Sequence, residues 1–224
     1  MTSNKKEKEF KRLIELVREL RKRYMLTLAA SKIFNRLNQQ KTYSCVGKSA
    51  AESNVHIFKK YSYFFGSIKE ALRIYVVIEL AKLFEKDQKS RNQSLNINYI
   101  LNRIEKNIDK YGNTISYQDI KRIKKRLLDN KKKIKNIKDY RDEYIAHDDI
   151  SKKEYSISNR DISTLLTIAK DIINLLYLKF EFLSNSYENF KEEPVNNLNQ
   201  LMKDLMSYDR EFRRKLKEKW NLKK

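Results

Sequence analysis

Three glycines and a single proline in 224 residues leave this chain few means of turning sharply. Hairpins, bulges and phosphate-cradling loops draw on glycine's positive φ and proline's fixed φ. A fold built on repeated tight turns is therefore disfavoured, and long helices remain. The apolar residues support that reading. Phe10, Leu13, Ile14, Val17, Leu20, Tyr24, Leu28, Phe34 and Leu37 recur at helical spacing, which predicts one long helix over about 5–40, or two with a slight break. Residues 41–53, with Gly47 and several Ser and Thr, read as a loop. Residues 54–86 are apolar on nearly all sides, from Tyr61 and Phe64 to Leu83 and Phe84, which predicts a central helix.

Further helices are marked by their start signals. Ser94 is a candidate N-cap for a helix carrying Ile97, Ile100, Leu101 and Ile104, which Gly112 ends. Ser116, with Asp119 three residues on, predicts a capping arrangement for the next helix. Asn159 can cap an apolar helix from Ile162 to Leu183, and Pro194 suits the first turn of a last helix to about residue 220. The expectation is an all-α bundle in one domain spanning 1–224.

The 50 lysines and arginines against 29 acids give a formal charge of +21, which attracts any polyanion within reach. Nucleic acid is the first partner to consider, although a biased genome composition accounts for such a charge equally well. Cys45 is the only cysteine, so one chain can build neither a disulfide framework nor a Cys-rich zinc site. Two histidines and no acidic cluster at ligand spacing argue against a dedicated metal, and no cofactor-binding motif is present. With no apolar leader and no membrane-length apolar run, a soluble cytoplasmic protein without membrane partners is expected.

Chemistry is most concentrated at Tyr-Arg-Asp-Glu-Tyr-Ile-Ala-His-Asp-Asp, residues 140–149. Stepping back from Arg141 by alternating threes and fours gives Ile137, Ile134, Asn130, Leu127, Ile123 and Ile120, with Tyr144 one step forward. Arg141 thus occupies a core-type position, where a guanidinium needs an anionic partner. His147 follows six residues later, which in an uninterrupted α-helix is about 600° of rotation and about 9 Å of rise. The two side chains would then point apart, unless the helix ends or a second chain completes the pair across a two-fold axis. The spacing alone is close to what chance supplies. A structural alternative has Arg141 closing the stripe through an ion pair while His147 interacts with helix-terminal carbonyls.

The pattern Arg-Asp-x-x-Ile-Ala-His-x-Asp, here Arg141, Asp142, Ile145, Ala146, His147 and Asp149, resembles the signature of HEPN-domain proteins, particularly the AbiU-type abortive-infection branch. Leu80-Ala81-Lys82-Leu83-Phe84, followed by polar residues and Ser94-Leu95, is similar to that branch as well. The resemblance covers about 55–185. It implies a HEPN-like antiparallel helical bundle with accessory helices at about 5–40 and 194–220, and a homodimer that places two Arg/His motifs in one cleft. It further implies a metal-independent endoribonuclease used in phage defence or as a toxin. Arg141 and His147 are the residues carried over as catalytic. Position 149 is Asp, where a toxin subgroup has tyrosine, and Glu143 stands where some relatives have lysine.

In the chemistry so implied, the RNA 2′-hydroxyl attacks the phosphate, Arg141 stabilises the phosphate and His147 serves in general acid/base catalysis. Asp142, Asp148 and Asp149 would support it by raising the basicity of the imidazole or fixing its tautomer. The basic face of residues 121–138, above all Lys131, Lys132, Lys135 and Lys138, would steer the RNA backbone or simply be a solvated face. The competing function is a non-catalytic basic adaptor binding nucleic acid or an acidic antitoxin, and an antitoxin or regulatory protein fits either reading. His56 is expected to be an ordinary packed or exposed residue, and Glu79 to pair with a lysine or arginine of the bundle.

Overall fold

The structure, a computed structural model, describes residues 3–86, 95–111, 114–145, 157–181 and 187–221. Every regular element among the described residues is helical: α1 Ser3–Gln39, α2 Tyr43–Val46, α3 Lys48–Lys60, α4 Ser62–Leu83, α5 Ile97–Glu105, α6 Ile108–Tyr111, α7 Tyr117–Asp129, α8 Lys131–Asp139, α9 Asn159–Glu181 and α10 Tyr187–Asn221, with a π-helix at Tyr140–Ile145. The all-α expectation is met. None of the described helices is long and apolar enough to cross a membrane.

The caps explain the helix starts. Ser116 and Asp119 form a complete capping box: Ser116 Oγ accepts the Asp119 N–H at 3.1 Å, and the Asp119 carboxylate accepts the Ser116 N–H at 3.1 Å. Asn96 caps α5 by accepting the Tyr99 N–H at 2.8 Å, whereas Ser94 and Gly112 lie outside the described residues. α9 is capped one residue earlier than expected, because Ser158 Oγ accepts the Asp161 N–H at 3.0 Å while Asn159 is already helical.

Three expectations about element boundaries are corrected. The expected loop at 41–53 is mostly helical: Gly47, at φ 81°, is the one residue there in the left-handed region, and α3 starts directly after it. The expected central helix is divided at Tyr61 into α3 and α4. In one straight helix Phe58 and Phe65 would be about 10 Å apart along the axis; the break brings their ring centroids to 4.4 Å, so a stretch apolar on all sides closes on itself. Pro194 lies within α10, not in its first turn. It leaves the carbonyl four residues back without its usual helical donor.

The chain divides into two compact units, residues 1–28 with 74–185 and residues 29–73 with 186–224, so that α1 and α4 each contribute to both. The first unit's interior is built from Leu13, Val17 and Leu20 of α1, Val77 and Leu80 of α4, Ile100, Leu101 and Ile104 of α5, and Leu165, Ala169, Ile172, Ile173 and Leu176 of α9. Phe10, Tyr111 and Phe180 add a ring cluster with centroids about 6 Å apart. The second unit has a core of Leu37, Ile57, Phe58, Phe65, Leu198 and Met202. Beside it is a cavity of about 500 Å³ lined mainly by apolar side chains, including Ile33, Phe64 and Ile68.

Candidate active site

The apolar stripe leading to Arg141 is real but interrupted. Asn130, a stripe position, breaks it into α7 and α8 at φ −107° and ψ 15°. Its side-chain amide donates to the Arg126 carbonyl at 3.0 Å, satisfying an acceptor that a continuous helix would have bonded through the backbone. After α8 the backbone changes to π-helical i→i+5 bonding over Tyr140–Ile145. The rotation expected for six α-helical residues therefore does not apply beyond Asp139. Tyr140, three residues after buried Ile137, takes the interior position, and Arg141 sits at its margin with 19% of its side chain exposed.

Two carboxylates hold that guanidinium. Nε donates to Asp142 Oδ1 at 2.6 Å, and Nη1 donates to Glu85 Oε1 at 3.1 Å. Among the described residues Nη2 has no hydrogen-bond partner. The bond to Asp142, supported by Glu85, raises the Arg141 pKa against the opposing effect of burial, so the group stays a permanent cation. Glu85 went unnoticed in the sequence, although an acid directly after Leu80–Phe84 is the natural anion for an arginine at the end of another helix.

Lys138, one turn before Arg141, differs from the other lysines proposed to steer RNA. It is half-buried, and burial pushes its ammonium pKa down; Arg141 and Lys86 push the same way, while Glu85 and Asp142 oppose them. Lys131, Lys132 and Lys135 are exposed, and Lys135 pairs with Asp139. Elsewhere on the basic face Lys124 reaches Glu105 at 2.6 Å and Arg126 reaches Asp171 at 2.5 Å, so part of the face's charge is neutralised. The structure thus brings Arg141, Asp142, Glu85 and Lys138 together. His147, Asp148 and Asp149 lie outside the described residues.

Glu79 pairs as expected. It accepts from Arg23 and from Lys82 at 3.0 Å, while Arg23 Nη1 donates to the Leu95 carbonyl at 2.9 Å. Burial raises the Glu79 pKa, but the bonds from Arg23 and Lys82 outweigh it, and the net shift is downward.

An all-α protein that sets an arginine, with an acid directly after it and a histidine six residues on, at the end of a helix has the features of a HEPN protein. The chain belongs to the AbiU2 family of HEPN proteins, whose family model matches residues 10–204. No curated protein and no solved structure matches it.

Proposed function

We propose that the protein is a metal-independent endoribonuclease acting in phage defence or as a toxin. In this reading the 2′-hydroxyl of an RNA nucleotide attacks the adjacent phosphorus and loses its proton to a base, and an acid protonates the leaving 5′-oxygen. The products are a 2′,3′-cyclic phosphate and a 5′-hydroxyl. Arg141 stabilises the charge that builds on the phosphorane oxygens, and His147 transfers protons. Because one chain offers one histidine at this segment, a homodimer supplies the second from its partner copy.

The observation that carries the proposal is the Arg141 guanidinium. It is shielded, kept charged by Asp142 and Glu85, and its Nη2 has no hydrogen-bond partner among the described residues. Membership of the AbiU2 family adds the expectation that His147 belongs with it. The same pairing with Glu85 also suits an arginine that only ties α4 to the π-helix. The second reading is therefore a basic adaptor that binds RNA without cutting it.

The two readings separate in one assay, in which the protein and a His147→Ala variant meet RNA in EDTA, alongside the same RNA with a single 2′-deoxy nucleotide at the mapped cut. The expected result is cleavage leaving cyclic phosphate ends, no cut at the deoxy position, and a loss of roughly 10²–10⁴-fold in the variant. Equal cleavage by the variant, or an intact rate at the deoxy position, overturns the mechanism. Salt-sensitive binding without cleavage selects the adaptor.

A further inference from the structure

The cavity of about 500 Å³ beside the second unit's core is open to solvent, since Phe64 of α4 and Leu201 of α10 line it and are both exposed. It is the deep end of a longer apolar edge. On α10, Leu198, Leu201, Leu205, Tyr208, Phe212 and Leu216 follow in steps of three and four. They lie within an arc of about 80° and span about 27 Å of helix axis. Leu198 is buried, whereas Leu201, Tyr208, Phe212 and Leu216 are between 42% and 62% exposed. The start of α4 runs beside this edge: Lys60, two residues before α4, lies 5.3 Å from the centre of the Phe212 ring, and Ile68 of α4 lines the cavity with Leu198. Such an edge is too long for one small molecule, and it matches about 18 residues of helix. A row of apolar side chains with one recess suits an amphipathic helix that lays a face along the row and drops a large side chain into the recess.

The charges bordering the edge decide which helix fits. By the same count of rotation, Glu193, Asn197 and Asp204 form the strip of α10 next to the apolar row, on its outer side at the cavity end. Glu193 and Asp204 are exposed, and neither has a cation partner among the described residues; Asp204 accepts a hydrogen bond from Gln200 at 2.8 Å. Farther along, the charges are paired: Glu211 with Lys215 at 2.9 Å, and Asp209 with both Lys60 and Arg213. Arg210 and Lys217 fall on the opposite side of the helix. Arg36 of α1 is held by Asn199, on another side of α10. In a chain of net charge +21, the recess is thus bordered by two carboxylates with no cation of their own. A two-fold antiparallel pairing of α10 with a second copy fits less well, since it would set this acidic strip against itself.

We propose that this groove binds a helix of a partner protein that is apolar on one face and carries lysine or arginine beside its largest apolar side chain. Such binding requires no RNA cleavage, so failure of the ribonuclease reading leaves it standing. The probes are three fluorescent eighteen-residue helical peptides, titrated with the full chain and read by anisotropy. They share leucines at helical spacing around a central tryptophan and differ only in the residues flanking that face, which are all lysine, all glutamine or all glutamate. At physiological salt, charges more than about 8 Å away are largely screened, so the carboxylates at the recess outweigh the distant cations of the chain.

The lysine peptide is expected to bind about tenfold more tightly than the glutamate peptide, with the glutamine peptide between them. Leu201→Trp, at an exposed position, fills the recess and should weaken the lysine peptide by about tenfold or more. Glu193→Lys with Asp204→Lys changes two exposed side chains that pack on nothing, and should reverse the order of the peptides. A glutamate peptide that binds the unaltered chain as tightly as the lysine peptide, which the net charge alone would give, overturns the proposal. Unchanged binding by Leu201→Trp overturns it too, as does an unchanged order in the charge-reversed variant. Self-association in sedimentation that Leu201→Trp abolishes, with none of the peptides bound, gives the groove to a second copy instead.

Discussion

Two arginine–glutamate pairs close on the same stretch of chain, and they are built for different ends. Arg23–Glu79 and Arg141–Glu85 have arginines of nearly equal shielding, 21% and 19% exposed. What differs is the exposure of the acids. Glu79 is 11% exposed and shared between Arg23 and Lys82, and Arg23 spends a second nitrogen on the Leu95 carbonyl, so that charge is used within the bundle. Glu85 is 26% exposed and the second acid on Arg141, Asp142, is 56% exposed, although each arginine spends the same two nitrogens, Nε and Nη1. A pair whose acid is shielded can only hold elements together, whereas a pair whose acids reach solvent can also exchange an internal anion for an external one.

The largest effect expected from this contrast is on stability. Arg23→Ala leaves a buried carboxylate with Lys82 alone and should cost about 3–5 kcal/mol, which for a chain of this length is a fall in melting temperature of roughly 10 °C. A melt within a degree or two of the parent would mean that the buried pair is no more structural than a surface one. Arg141→Ala should do the reverse. Its melting temperature should stay close to the parent's, while RNA cleavage falls on the order of 10²–10³-fold, as for the loss of one donor to an oxyanion. Collapse of the fold in that variant would assign Arg141 to the scaffold.

Acid should act mainly on the shielded carboxylates. Glu79 and Asp119 both titrate below the ordinary carboxylate range, in each case because hydrogen bonds and cations outweigh burial. A folded pKa below the unfolded one contributes stability that is complete above the unfolded value and is lost as pH falls through the folded value. The melting temperature should therefore hold to mildly acidic pH and drop below the ordinary carboxylate range, and Glu79→Gln should flatten that drop. A steeper drop in the variant would contradict the direction of the shift. Ser116→Ala, which removes the capping hydroxyl of α7, should cost about 1 kcal/mol at neutral pH.

Local signals carried much of the fold. The Ser116–Asp119 box, the period of Ile120, Ile123 and Ile137, and the pairing of Glu79 all follow from spacing and residue type, and the structure has each of them. The misplaced boundaries depended on tertiary contacts: the division at Tyr61 exists to join Phe58 to Phe65, and no local breaker marks it. The candidate site was legible on one side only. Arg141 betrayed itself by standing on an apolar stripe, but its partner is 56 positions away at the end of α4, where one acid among many gives no periodic signal. Likewise, the half-burial of Lys138 is hidden inside a run of lysines. His56 is exposed, within the expectation for it, and its contact with Asp209 of α10 is equally non-local.

The smallest effect is also the one that most sharpens the contrast between the two pairs. Glu85→Gln keeps the shape of the side chain and one acceptor for Arg141 Nη1 but removes the negative charge. Because the pair is partly exposed, stability should change by less than about 1 kcal/mol. Affinity for a non-cleavable RNA strand should rise several-fold, since a phosphate no longer competes with a carboxylate for the guanidinium, and the gain should shrink with added salt. Glu79→Gln provides the control, with a larger loss of stability and no gain in affinity. If both variants bind RNA alike, the greater exposure of Glu85 has no bearing on RNA binding, and Glu85 is a second structural anchor of the kind Glu79 is.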